Sequence, residues 1–186
     1  LTIFRAVADS TSLLGLAFAC TILSFAINQY LVSPLAAFED GLNVPDVRVS
    51  GYTPDELHAW YDGIGMEGCQ VYTRCATWDL YAIIPSYLIF LGAILVQQGR
   101  IATKPNEGIA FLPVAVASCD FVETYLQRHG SVVYPERLPT ALVRIASAAC
   151  VTKWVLLIST LMLIVGLWLG NKMLASSELG KSKKKE

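Results

Sequence analysis

WVLLISTLMLIVGLWLG, residues 154–170, contains no charged side chain, and it closes a block, 146–170, whose one charge is Lys153. A helix needs about 20 apolar residues to cross roughly 30 Å of hydrocarbon, so this block predicts a transmembrane span. The pattern recurs upstream. Ser12–Leu31 is the core of a stretch with no charge between Asp9 and Glu39, and Pro34 punctuates its exit. Leu80–Gly99 is uncharged up to Arg100, and Pro85 in its first two turns predicts a local kink. Gly108–Cys119 is apolar but short. Continued past Asp120 and Glu123 to Arg128, it becomes a full crossing with two acids inside.

The expected fold is therefore all-α: a four-helix transmembrane bundle with spans at 11–32, 79–99, 108–128 and 146–170. A soluble acidic loop at 33–78 carries a short amphipathic helix, and a basic tail covers 171–186. The 186 residues make one integral membrane domain. Composition agrees: 54% of residues are hydrophobic and 16% charged, against about 25% charged in an average soluble domain. The apolar excess comes in blocks rather than amphipathic stripes. Net charge is −1, and no run mixes basic with aromatic residues, so no nucleic-acid partner is expected. Membrane lipids are the expected contacts, and bound lipid is the only ligand class anticipated; no cofactor is.

Four crossings place both termini on one side, here face A. Lys and Arg favour that face eight to five, which predicts that it looks into the matrix, stroma or cytosol. The Lys181–Lys185 tail belongs to it. The chain opens on Leu1, as a processed organelle protein would, although residues 1–10 lack an Arg-rich transit bias because Asp9 offsets Arg5. On the opposite side, face B, Thr53-Pro54-Asp55-Glu56 spells a helix start: a Thr cap, Pro at the first position and Glu three residues after the cap. Leu57, Trp60 and Tyr61 share one face of that helix, and Gly63 is expected to end it. A second helix from Glu67 is expected to run into the second span.

Direction gives the acids their meaning. The third span enters from face A, so Asp120 and Glu123 lie near its B end; the fourth starts at face B, so Lys153 lies in its B half. Asp79 opens the second span there, and Asn28 and Gln29 close the first. Polar groups from all four helices thus occupy one half of the membrane. Asp120 and Glu123 share a helix face, and leaving a charge in lipid costs about 2.5–3.5 kcal/mol. The expectation is an internal ion pair between Lys153 and one or both acids. The plainer reading is that such contacts fix helix register, since interhelical polar contacts average about 0.6 kcal/mol. The functional reading is a proton or substrate site.

No catalytic residue is assigned, because no Ser–His or Cys–His arrangement accompanies the cluster. His58 and His129 fall outside the spans and read as surface residues, which excludes haem held by paired intramembrane His and disfavours His-bound chlorophyll. Neither joins a metal-spaced set. Of five cysteines, Cys20, Cys119 and Cys150 lie in apolar blocks. Cys69 and Cys75 match no zinc or thioredoxin spacing and are expected to be free thiols.

Residues 50–168 resemble a group of small four-helix membrane proteins found in bacteria. The likeness rests on Gly51-Tyr52-Thr53-Pro54-Asp55-Glu56, Gly65-Met66-Glu67-Gly68 followed by Tyr72, then Asp79, Leu112-Pro113, Asp120 with Glu123, and Lys153-Trp154. That group tends to carry Glu-Asn in its third helix, where this chain has Glu123-Thr124. The resemblance implies the fold and the cluster but no activity. A second likeness, to claudin-type proteins, rests on topology, a long outer loop and its two cysteines; Gly63-Ile64-Gly65 departs from that family's Gly-Leu-Trp.

Three functions follow as expectations. The first is a non-catalytic accessory subunit of a large energy-converting complex, in the mitochondrial inner membrane (respiratory chain or ATP synthase) rather than a photosystem, with the other subunits as partners. The second is a small transporter or membrane enzyme using Asp120, Glu123 and Lys153. The third is a claudin-type adhesion protein.

Overall fold

The first long helix starts where Ser10 can cap it, its hydroxyl accepting the Leu13 N–H at 3.3 Å. In the computed structural model, which describes residues 1–38, 43–101 and 107–182, six α-helices follow one another. They are α1 (Thr2–Ala8), α2 (Thr11–Val32), α3 (Pro54–Trp78), α4 (Ile84–Ile101), α5 (Phe111–Val133) and α6 (Thr140–Ser182). There is no strand among the described residues. Among the described residues, four helical segments are long and apolar enough to cross a membrane. Glu39, Asp40, Lys104 and Lys183–Lys185 of the tail lie outside the described residues.

Each expected span has its helix, but several limits differ. α1 was not anticipated; Phe4 lies flat on Gly92, where even a Cβ would meet its ring at 2.8 Å. Asp9 pairs with Arg100 beside it. α3 does not stop at Gly63. It turns at Gly65, whose φ of 60° and ψ of −170° suit only glycine well, and then continues toward the second span. The Thr53 cap is as expected: the Glu56 N–H donates to Thr53 Oγ1 at 3.2 Å and the Thr53 N–H to Glu56 Oε2 at 2.6 Å. The irregularity expected at Pro85 takes the form of a widened, π-type turn at Asp79–Ile83 between α3 and α4, which spares Pro85 a clash with the preceding turn. α6 starts six residues early and has 43 residues, about 64 Å at 1.5 Å each, so it overruns a 30 Å hydrocarbon layer.

The helices divide by depth. At the A end, Ala8, Ala93, Val96 and Ala110 pack together, and Asn171 Nδ2 donates to Gln98 Oε1 at 3.0 Å. Mid-bundle, Leu80, Ile83, Ile84 and Tyr87 meet Val116 and Ala117. The B end holds the largest core, where Leu57, Trp60, Tyr61 and Ile64 of α3 pack on Leu138, Val143, Ala146 and Cys150. The amphipathic helix therefore buries its apolar face in the bundle, not in a membrane surface. α5 and α6 form the most extensive pairing.

The acidic loop also joins this core. Leu35 is buried, as are Val44 and Pro45, and the segment from Val44 to Thr53 is strapped along α6. The Tyr52 N–H donates to Ser147 Oγ at 2.9 Å, Cys150 Sγ to the Arg48 carbonyl at 3.4 Å, and Trp154 Nε1 to the Asp46 carbonyl at 3.2 Å. Gly51, at φ +77°, lies so close to Ser147 that a Cβ would sit 2.6 Å from its Oγ. The described parts of the 33–78 segment, residues 33–38 and 43–78, thus pack against the bundle.

Candidate functional site: a buried carboxyl cluster beside a polar cavity

Lys153 projects from α6 into the B half of the bundle and is only 7% exposed. Its ammonium donates to Asp120 Oδ1 at 3.0 Å and to the Asp46 carbonyl at 3.3 Å, and forms an ion pair with Glu123 Oε2 at 2.8 Å that lacks hydrogen-bond geometry. The ion pair expected from sequence is present with both acids of α5, in the interior. Asp120 is further held by Tyr87, whose hydroxyl donates to Oδ2 at 2.8 Å. Glu123 is fully buried and takes a hydrogen bond from Gln127 Nε2 at 3.2 Å.

Gln127 is the hub that the sequence reading missed. It is fully buried. Its Nε2 also donates to the Tyr52 hydroxyl at 2.8 Å, its Oε1 accepts from the Tyr72 hydroxyl, and its carbonyl accepts from the Tyr61 hydroxyl at 2.7 Å. A signal existed: Asp120, Glu123, Gln127 and Ser131 recur at intervals of three and four and so form one polar stripe on α5. The Ser131 hydroxyl lies 2.8 Å from that of Thr73, and Arg128 Nε donates to Thr77 Oγ1 at 2.8 Å, which docks α5 on α3.

The other expected members stand apart from the ion pair. Asp79 accepts from Thr124 Oγ1 at 3.3 Å and has no bond to Lys153. Asn28 and Gln29 are not bonded to the acids either. All three instead line a cavity of about 210 Å³, together with Asp46, Thr124 and Tyr72. The physical reason is reach: the first span packs on α3 and α4 rather than on α6, so its amides line the cavity with Asp46 and Asp79 and do not meet Lys153.

Asp46 is one of the acids of the 33–78 loop expected from sequence to be soluble. Here Oδ1 is buried without a hydrogen-bond partner. Burial pushes the carboxyl above the ordinary carboxylate range, against the opposing pull of Lys153. Asn28 Oδ1 is likewise buried and unpartnered. Burial also raises the Tyr52 hydroxyl, reinforced by the charge of Glu123, so the phenol is a neutral donor and acceptor.

His58 is a further correction. It is buried in α3, not on the surface, and its Nε2 lacks a partner; His129 is exposed. The five cysteines are all free thiols, and Cys69 and Cys75 sit on helix α3. Neither the bridge nor the strands that would favour a claudin-type protein are present among the described residues. Among those residues, no group of three or more His, Cys, Asp and Glu is disposed to hold a metal ion.

Chemically, two carboxyls of α5 meet one ammonium, and two more, Asp46 from the loop and Asp79 from the turn between α3 and α4, line the nearby cavity. Asp46, Asp79, Asp120 and Glu123 outnumber Lys153 in a space that excludes water from much of their surface, so full ionisation leaves an uncompensated negative charge. Protons or a cationic ligand can balance it. No family model, curated protein or solved structure matches the chain.

Proposed function

We propose that the protein is a small membrane transporter that takes up and releases a proton at the Asp79, Asp120, Glu123 and Lys153 cluster as it moves a substrate. One observation carries this reading: two buried carboxyls, Asp120 and Glu123, hold a single buried lysine, and two more half-buried ones, Asp46 and Asp79, line a nearby polar cavity. A cluster serving only to fix helix register needs matched charges, because each unmatched one costs stability without adding specificity. An excess of acids suits exchange, since the number of bound protons can change while the fold persists. The widened turn at Asp79 adds support, because such turns recur where a helix must present or move a polar group.

The test uses the full chain reconstituted in liposomes with an entrapped pH dye. An imposed potential should drive internal pH change well above that of protein-free liposomes. The variant combining Lys153→Met, Asp120→Asn and Glu123→Gln, which removes charge in balance, should keep its helical signal and lose that flux. Wild-type flux no greater than in empty liposomes overturns the proposal.

A second reading draws on α2. It packs one side on α3 and α4 through Thr21 and Ser24 and leaves most of its large apolar side chains exposed, among them Leu16, Ile22, Leu23 and Phe25, to lipid or to another protein. An accessory subunit of an energy-converting complex, in the mitochondrial inner membrane, would use that surface. Gentle solubilisation and native gels read it directly: migration as the free chain removes this reading.

A further inference from the structure

The cavity at the B end has an acceptor-rich wall. Asp46 and Asp79 bring carboxylates to it, Asn28 and Gln29 bring amides, and Thr124 already spends its hydroxyl hydrogen on Asp79. Asn28 Oδ1 and Asp46 Oδ1 are both buried without a hydrogen-bond partner in the protein. Two such acceptors on one cavity are unusual, since nearly all buried polar atoms are satisfied. Among the described residues no Lys or Arg lines the space; Lys153 is occupied by Asp120, Glu123 and the Asp46 carbonyl. Val32, Val44 and Ala76 supply an apolar side.

A ligand completing this wall must carry positive charge, several N–H donors and a small apolar part. We infer that the cavity binds a primary ammonium group, with Asp46, Asp79 and Asn28 Oδ1 as its acceptors. An ammonium has three donors on one atom, which matches three acceptors drawn from α2, the loop and the start of the second span. A bare metal ion fits less well, for no cluster of His, Cys, Asp and Glu of ligating geometry exists among the described residues. A quaternary ammonium has charge but no donor, so it leaves the unpartnered oxygens as they are. The volume, about 210 Å³, admits an amine with a short alkyl chain. The same chemistry is presented by a free alkylamine and by the ethanolamine headgroup of a phospholipid. This inference names the substrate class of the proposed transporter and rests on that reading.

The experiment titrates ethylammonium chloride into the full chain in phosphatidylcholine nanodiscs, following tryptophan fluorescence and heat. Saturable binding is expected, at least about tenfold weaker in Asp46→Asn and in Asp79→Asn, since each removes a charge-assisted bond. Tetramethylammonium should bind at least about tenfold more weakly than ethylammonium to the unaltered chain, a comparison that needs no variant to fold. Repeating the titration in discs containing phosphatidylethanolamine separates the sources. A raised apparent Kd for ethylammonium identifies the headgroup as a competing occupant; an unchanged one identifies the free amine. Absence of saturable binding, or equal affinity for tetramethylammonium, overturns the inference. If proton flux persists in that case, only the ligand is wrong. If ethylammonium binds while flux is absent, the site stands and the transport reading falls.

Discussion

Replacing Lys153 with Met tests the central contact most sharply. Methionine matches the length of the lysine stem and keeps the packing of α6 while deleting the charge. The side chain is 7% exposed and its partner Glu123 fully buried, so solvent cannot take over its role. Removing one member of a buried pair commonly costs about 3–5 kcal/mol, and here two carboxylates and the Asp46 carbonyl lose the same ammonium. The expectation is the upper part of that range, a fall of about 10³-fold or more in the folded-to-unfolded ratio. Unfolding by increasing SDS in mixed micelles, read by near-UV circular dichroism, measures it. Adding Asp120→Asn and Glu123→Gln to the same chain should recover most of the loss, because amides need no counter-charge and Tyr87 and Gln127 can still bond to them. A Lys153→Met chain within about 0.5 kcal/mol of the original would refute the claim that these charges depend on one another, as would a triple variant no more stable than the single one.

Gln127→Leu should cost about 2–4 kcal/mol in the same assay, because the Tyr52 and Tyr72 hydroxyls and Glu123 lose a shared partner; near-neutral behaviour would show that the hub is not needed. Gly130→Ala should cost about 1–3 kcal/mol, since its Cβ would lie 2.8 Å from both Leu138 Cδ1 and the Tyr61 hydroxyl, whereas Gly166→Ala, with nothing within 4 Å, should be no worse than neutral. Gly65→Ala meets open space but keeps a φ of +60°, so a loss of about 1–2 kcal/mol would come from backbone conformation alone. Asp46 gives a pH signature. Its folded carboxyl holds a proton at pH values where the unfolded chain has released it, so stability should fall as pH climbs from the ordinary carboxylate value to the raised one. In Asp46→Asn that part of the slope should vanish, and an unchanged slope would remove Asp46 as its source.

What the sequence disclosed follows from which forces act locally. Span positions depend on runs of apolar residues, and the helix start at Thr53-Pro54-Asp55-Glu56 depends on neighbours three residues apart, so both were legible. The meeting of Asp120, Glu123 and Lys153 needed only topology and the cost of a charge in lipid. Asp46 was not legible. Nothing near it distinguishes a solvated loop acid from one folded against α6, because its burial depends on partners about a hundred residues away, at Cys150, Lys153 and Trp154. Gly63 is the break the sequence suggests, but the helix turns at Gly65, because that is where the conformation redirects α3 along the bundle. His58 was misplaced because the apolar face of α3 is wider than Leu57, Trp60 and Tyr61 alone define.

The inserted loop also joins the cluster to the cavity mechanically. Ser147, Cys150, Lys153 and Trp154 lie along one side of α6, and each holds the strap that carries Asp46. Lys153 is also the counter-ion of the charges on α5. Its ammonium donates to Asp120 and to the Asp46 carbonyl and pairs with the charge of Glu123, so a change of charge on either acid alters how strongly it holds the strap. Asp46 is at the same time a wall of the cavity. In the proposed transport cycle, a cation arriving at Asp46 and Asp79 and a proton arriving at Asp120 or Glu123 therefore act on one shared element. Linkage then requires the effect to be mutual: whatever the proton does to cation affinity, the cation does to proton affinity by the same factor. Ethylammonium affinity that is independent of pH, measured across the range in which proton flux changes, would leave the two sites as neighbours without coupling.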